Sequence, residues 1–170
     1  DREEIDTLIG RLRGETDCPP VQMLEGGKSR RESVCKALMQ VQEERVLIHD
    51  AARPYIRPEY IDCCLDALPA YPAVTLGVPS KDTVKIINDQ GEVIQTTCRE
   101  RTFLIQTPQG FHTALLLSAH HNCPDGDITD DCGLMEWAGH PVKVVEGDYT
   151  NIKITTPEDL EPNWGQSILA

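Results

Sequence analysis

The chain is 170 residues long, the size of one domain, and a folded chain of that length buries about 70% of its unfolded surface. Apolar residues make up 39% of it and there are 12 glycines, which together reach the range of globular proteins and set aside disorder, collagen and coiled coil. Sixteen Lys and Arg against 28 Asp and Glu leave a formal charge of −12, so most of the surface repels a nucleic-acid backbone or an anionic lipid, and an anionic ligand must be small and met by local cations.

Asp1-Arg2-Glu3-Glu4 is too acidic for a signal peptide, and the longest apolar stretch, around Ala114 to Leu117, is far short of the ~20 residues of a membrane helix. The seven cysteines are odd in number and show no C-x-x-C spacing, so the chain reads as soluble and unexported, with reduced thiols. Ile5, Leu8, Ile9 and Leu12 share one face of a helix over residues 4–12. Residues 21–24 read as a short strand running into Gly26-Gly27, and residues 29–42 as a helix with Val34, Leu38 and Val41 on one side. Residues 45–49 are a nearly continuous apolar run, typical of a strand covered on both faces, followed by a helix over 58–68 with Pro58 in its first turn. Residues 73–78 repeat the buried-strand pattern. Residues 83–87 and 92–97 are β-prone runs about Asn88-Asp89-Gln90-Gly91, which predicts a protruding two-stranded arm at about 79–101. Further strands are expected at 103–106, 142–145 and 151–154, helices at 113–121 and 129–138, and a last helix opening at Pro157-Glu158-Asp159-Leu160. The alternation predicts one α/β domain over 1–170 in three layers around a mostly parallel sheet.

In such a sheet ligands collect where strands end, and the informative loops fall there: Gly26-Gly27-Lys28-Ser29-Arg30, Asp50-Ala51-Ala52-Arg53-Pro54, Pro79-Ser80-Lys81-Asp82-Thr83 and Thr107-Pro108-Gln109. Gly27-Lys28-Ser29 imitates the end of a P-loop, but Gln22 stands where that motif needs glycine. What remains is a Gly-Gly turn with Lys28, Arg30, Arg31 and Ser33 at a helix start, suited to an anion or a base edge, or else an ordinary turn. Asp50 can serve Mg²⁺ through water or accept from a ligand hydroxyl, and Arg53 can grip phosphate, unless the two simply pair. Arg99, Arg101 and Lys153 all sit beside expected strand ends, where they can converge on one anion. A contact pair at ~4 Å is worth ~4 kcal/mol at an effective dielectric near 20, whereas exposed charges beyond ~8 Å are largely screened, so two or three local cations outweigh the acidic surface.

Asp125, Asp127, Thr129 and Glu136 fall at positions of a calcium hand, but Asp130 occupies the place of its turn glycine, and Thr129-Asp130-Asp131 reads better as a helix N-cap. His120, His121 and Cys123 are too crowded for a regular zinc site. No G-x-S-x-G serine-hydrolase elbow occurs, and no residue is assigned as a metal ligand.

Six motifs in order carry a resemblance: Gly26-Gly27-x-x-Arg30-x-x-Ser33-Val34; Val46-Leu47-Ile48-His49-Asp50-Ala51-Ala52-Arg53-Pro54; Asp82-Thr83-Val84-Lys85; Gln106-Thr107-Pro108-Gln109-Gly110-Phe111; Thr129-Asp130-Asp131; and Asn151-Ile152-Lys153-Ile154-Thr155-Thr156-Pro157-Glu158-Asp159-Leu160. The string resembles the 2-C-methyl-D-erythritol 4-phosphate cytidylyltransferase family of the non-mevalonate isoprenoid pathway. The resemblance implies a Rossmann-like nucleotidyltransferase fold and transfer of CMP from CTP to a polyol phosphate with release of pyrophosphate. It also implies Mg²⁺ bound mainly through substrate phosphates, a homodimer whose β-arms clasp, no nucleic-acid or membrane partner, and a cytoplasmic or plastid-stroma location.

Residue by residue, the resemblance puts Gly27, Lys28 and Ser33 on the cytosine side and Asp50, Ala51 and Arg53 along the ribose and polyol. Thr83 and Arg99 would reach a neighbouring subunit's substrate from the arm, and Thr107 and Lys153 would hold the substrate phosphate. Arg99 and Lys153 form the pair expected to align that phosphate for attack. Family members open with a strand and a glycine-rich, lysine-bearing triphosphate loop, and this chain starts in the helix expected after their third strand. Residues 161–165 also break the helix that usually follows Leu160. The expectation is therefore an N-terminally truncated member, inactive as written. Alternatives are the sister family acting on ribitol 5-phosphate, which tends to carry valine where Ala52 stands, a non-catalytic remnant that dimerises or binds the polyol phosphate, and a generic Rossmann-like binding domain.

Overall fold

The structure, a computed structural model, describes residues 2–15, 19–124 and 128–160. Asp125 and Asp127 of the calcium-like pattern, and the helix break at 161–165, lie outside the described residues. The chain divides into two compact units, residues 1–37 and 38–170.

The first unit holds α1 (Arg2–Glu15) and all but the last residue of α2 (Arg30–Leu38). Ile5 and Leu8 form the expected stripe on α1, yet they are 48% and 55% exposed. The strand expected at 21–24 is not formed: Val21 and Leu24 are exposed, and no ladder runs through them. An apolar run becomes a strand only when a neighbour takes its backbone groups. α2 starts on a variant of the capping box, Ser29-x-x-Glu32, in which Ser29 Oγ accepts from Glu32 N at 3.1 Å and the Glu32 carboxylate reaches back to the amide of Lys28 in place of Ser29.

The second unit is built on a four-stranded sheet in the order β1 (Arg45–Ile48), β5 (Phe103–His112), β2 (Ala73–Pro79), β6 (Val142–Glu146). β1, β2 and β6 share one direction, whereas β5 runs antiparallel to both of its neighbours. The sheet is thus mixed about a common direction, and β5 extends through Pro108 instead of ending at Gln106. Along β2 the alternation of side chains separates two faces. Val74 and Leu76 pack with Tyr60, Cys64 and Leu68 of α3 (Pro58–Ala67) and the residue after it. Thr75, between them, accepts from Gln109 Nε2 at 3.3 Å, and the same nitrogen donates at 2.8 Å to Asp130, the N-cap of α5 (Asp131–Trp137). α4 (Thr113–Asn122) packs beside α5, which gives helix, sheet and helix layers. Asp130 accepts from Gly133 N at 2.9 Å, so the N-cap read from Thr129-Asp130-Asp131 is present.

The arm is a separate hairpin of β3 (Lys85–Ile87) and β4 (Val93–Thr96). Asn88 Oδ1 accepts from Gln90 N and Glu92 N at 3.1 and 2.9 Å, and Gly91 turns the chain at φ +81°, a conformation that favours glycine. The expected strand at 151–154 is absent, because one hydrogen bond, Ile154 N to Ala52 O at 2.8 Å, makes no ladder. The last helix is a single 3₁₀ turn, Pro157–Leu160. Cys35, Cys63, Cys64, Cys98, Cys123 and Cys132 are not joined in disulfides. Among the described residues no helix is long and apolar enough to cross a membrane.

Candidate functional site

The pairing of β2 with β5 slips between Thr75 and Leu76: Thr75 faces Gln109 and Leu76 faces Gln106, which leaves Thr107 and Pro108 as unpaired extra residues, joined by a cis peptide. This irregularity brings Thr107 to the end of β1. Its Oγ1 accepts from Asp50 N at 3.0 Å and lies 2.9 Å from His49 Nδ1, while His49 Nε2 lies 3.0 Å from the carbonyl of Arg53. A carbonyl only accepts, so Nε2 carries the proton, and a neutral ring then accepts the Thr107 hydroxyl proton at Nδ1. The Thr107 proton is therefore directed at His49.

Asp50 and Lys153 meet: the Lys153 ammonium lies 2.8 Å from Asp50 Oδ2, with the two side chains 47% and 19% exposed. Arg53 does not pair with Asp50 in place of a ligand. Its Nη1 donates to the Asn151 carbonyl at 2.7 Å and its Nη2 to the Ile105 carbonyl at 3.5 Å, and burial lowers its pKa against the opposing pull of Asp50. Ala51 is exposed at the tip of the turn closed by Arg53 N to Asp50 O at 2.9 Å.

Two buried amides that sequence reasoning left without a role hold these loops together. Gln106 Nε2 donates to the carbonyls of Asp148 (2.9 Å) and Asn151 (3.3 Å), and Asn151 Nδ2 donates to the carbonyl of Thr107 at 2.9 Å. For Gln106 the available signal was an amide directly after the apolar run Phe103-Leu104-Ile105, whereas Asn151, between Thr150 and Ile152, carried no such signal. Gly147 belongs to the same arrangement, because a Cβ there would run into Gln106 Oε1 and lie 3.3 Å from the backbone of Gly77.

Thr83 and Arg99 form a second group at the root of the arm, where Arg99 Nη2 donates to Thr83 Oγ1 at 3.0 Å. Within one chain the structure thus joins Lys153 to Asp50 and Arg99 to Thr83. Gly27, Lys28 and Ser33 cluster in the first unit. Gly27 N donates to Ser33 Oγ at 2.9 Å and Lys28 N to the Glu32 carboxylate at 2.7 Å, so these amides, expected to be open to an anion, are taken by the chain itself. The bond from Lys28 and the neighbouring Lys36 hold the Glu32 carboxyl below its ordinary value. Among the described residues no three His, Cys, Asp or Glu side chains are grouped to hold a metal ion, and Asp50 is committed to Lys153.

Residues 1–167 match the family described as 2-C-methyl-D-erythritol 4-phosphate cytidylyltransferase, IspD. The enzyme of that name from Pelotomaculum thermopropionicum is 44% identical over 142 residues, covering 81% of this chain and 60% of its own length. The one from Microcystis aeruginosa is 42% identical over 164 residues, covering 94% of this chain and 71% of its own. The crystal structure of 4-diphosphocytidyl-2C-methyl-D-erythritol synthase from Anaerococcus prevotii superposes with a TM-score of 0.83 at 35% identity, covering 92% of this chain and 74% of that one. The chain therefore spans 60 to 71% of the length of these two relatives.

Proposed function

The chain belongs to the 2-C-methyl-D-erythritol 4-phosphate cytidylyltransferase family, and we propose that it carries the polyol-phosphate half of an enzyme that transfers CMP from CTP to 2-C-methyl-D-erythritol 4-phosphate in non-mevalonate isoprenoid biosynthesis. A phosphate oxygen of the polyol attacks the α-phosphorus of CTP, a new P–O–P bond forms, the α–β bond breaks and pyrophosphate leaves with that electron pair. The attacking oxygen is already ionised, so no general base is required. Catalysis is then alignment of the phosphates and neutralisation of their oxygens.

The observation that carries this reading is the Lys153–Asp50 pair, a cation and an acceptor 2.8 Å apart beside Thr107. In the proposal Lys153 takes the substrate phosphate, Asp50 accepts from polyol hydroxyls, and Ala51 leaves room at the turn. Arg53 and Thr107, which bond to neighbouring segments of the chain, keep that loop in place. Arg99 and Thr83 arrive from the arm of a second copy. The exposed Ile86, Ile87, Val93 and Ile94 on the arm support a homodimer formed through it. Gly27, Lys28 and Ser33 take the cytosine side, which requires the Gly27 and Lys28 amides to exchange their internal partners. Mg²⁺ is proposed to enter on the triphosphate oxygens, where it would neutralise part of their charge. The proposed place of action is the cytoplasm.

For the 170-residue chain by itself the proposal is binding of the polyol phosphate without turnover. Calorimetry with 2-C-methyl-D-erythritol 4-phosphate, ribitol 5-phosphate and CTP in turn, paired with a pyrophosphate-release assay, tests it. Saturable binding of the first compound, weaker binding of the second and no pyrophosphate are expected. Tighter binding of ribitol 5-phosphate overturns the substrate assignment, and pyrophosphate released from CTP overturns the inactivity.

A further inference from the structure

We propose that Asn151 is a positioning residue that acts through Lys153, with Gln106 as its support. The stretch carrying Lys153 lies between the end of β6 at Glu146 and the 3₁₀ turn at Pro157, and no residue within it belongs to a helix or strand. No ladder fixes the direction in which Lys153 leaves the backbone, so isolated hydrogen bonds, most of them from side chains, do so.

Those bonds converge on Asn151, which is fully buried at 0% exposure. Its Nδ2 donates to the Thr107 carbonyl at 2.9 Å, and its N–H donates to the Asp148 carbonyl at 3.0 Å. Its own carbonyl receives Arg53 Nη1 at 2.7 Å and Gln106 Nε2 at 3.3 Å. Two residues further on, Lys153 reaches Asp50 at 2.8 Å, and the Ile154 amide is tied to Ala52 at 2.8 Å. Asn151 thus links the loop after β1, the irregular centre of β5 and the Lys153 segment. An amide suits this place because Nδ2 supplies a neutral donor to a carbonyl. Aspartate would set a carboxylate against that carbonyl, and alanine would leave the carbonyl without its donor.

The test reads Lys153 directly, so only its ligand arm rests on the reading of the pocket given above. The protein, without ligand, is pulsed with acetic anhydride, and acetylation of Lys153 is measured by mass spectrometry relative to Lys143 on β6. Loss of the charge-assisted bond to Asp50 should raise the ratio about fivefold in Asn151→Ala, and by less in Gln106→Met. General loosening would move Lys153 and Lys143 together and leave the ratio unchanged. An unchanged ratio in both variants overturns the proposal, and Gln106→Met, which retains the Asn151 side chain but removes its support, decides the matter alone if Asn151→Ala does not fold.

Calorimetry with 2-C-methyl-D-erythritol 4-phosphate supplies the second arm. Asn151→Ala should weaken binding about tenfold when Lys153 is present and have no further effect in the Lys153→Met background, since two groups acting as one are non-additive. Equal losses in both backgrounds overturn the positioning role. A wild-type chain that shows no binding, with the acetylation ratio still responding, overturns the ligand assignment and leaves Asn151 in its role.

Discussion

At the scale of single residues, the direction of each hydrogen bond separates groups open to a ligand from those the chain already uses. Thr107 and Ser33 show this, since both are hydroxyls that the motifs place in the site. Thr107 receives Asp50 N and directs its proton at His49, and Ser33 receives Gly27 N while donating to Ser29 O at 2.9 Å. Residue type and spacing reveal that a hydroxyl is there but not where its proton goes, which depends on partners as far away as residue 49 from residue 107. Glu32 allows a measurement at this scale. Its carboxyl is held below its ordinary value of 4.5, first by the Lys28 amide and then by Lys36. A carboxylate whose pKa is depressed on folding stabilises the folded form above its unfolded pKa, and that contribution is lost as pH falls through the lowered value. The protection factors of the α2 amides, exchange rates corrected for their intrinsic dependence on pH, should therefore hold from pH 7 down to the ordinary carboxyl value of 4.5 and fall below it. In Glu32→Gln the same amides should exchange faster at neutral pH and lose this pH dependence. Identical profiles for the two proteins would show that the capping box does not stabilise the helix.

At the scale of elements, those announced by their own periodicity match the sequence reading within a few residues. β1, β2, α3, α4, the Asp130 cap and the arm hairpin all appear where apolar spacing, Pro58, the acidic cap and Asn88-Asp89-Gln90-Gly91 put them. Elements that need a distant partner do not. Residues 21–24 have the composition of a strand and no ladder, residues 151–154 have a single bond, and β5 continues past Pro108 because its partners tolerate two unpaired residues. The arm shows a further limit of local pattern: every residue of β3 and β4 is exposed, and Ile94 is 65% so. A lone two-stranded hairpin is marginal in water, so the apolar side chains on this one point to a covering partner. If the partner is a second copy, a charge at that contact costs about 2 kcal/mol, roughly thirtyfold in the dissociation constant. Ile94→Lys should therefore sediment as monomer at micromolar concentrations where the wild type is dimeric, with the unfolding temperature of the sheet unit unchanged. A wild type that is monomeric at those concentrations would remove the arm from any role in assembly.

At the scale of the whole molecule, the stability of the chain should be graded, because its parts bury such different amounts. β2 is hydrogen-bonded on both sides and buried at every position but its last, with Val74 and Leu76 packed against α3. Its amides can exchange only when the second unit opens as a whole, so they should report the global free energy. The site loops hang from this strand through Gly77, whose carbonyl accepts the Gly147 amide at 3.0 Å, and through Gln106 beside it. Their amides should be intermediate, since a few side-chain bonds can break without unfolding the sheet. α1 differs again. Its 14 residues are about the length at which an isolated helix is marginal, and its Ile5 and Leu8 are half exposed. Native-state hydrogen exchange with fragment separation should rank β2 and the centre of β5 slowest, the segment 147–154 next, and α1 among the fastest. The β2-to-α1 difference should be about 3 kcal/mol or more, given that global stabilities of domains start near 5 kcal/mol. Exchange from α1 as slow as from β2 would mean that residues 1–37 unfold together with the sheet, and would turn the two units into one cooperative body.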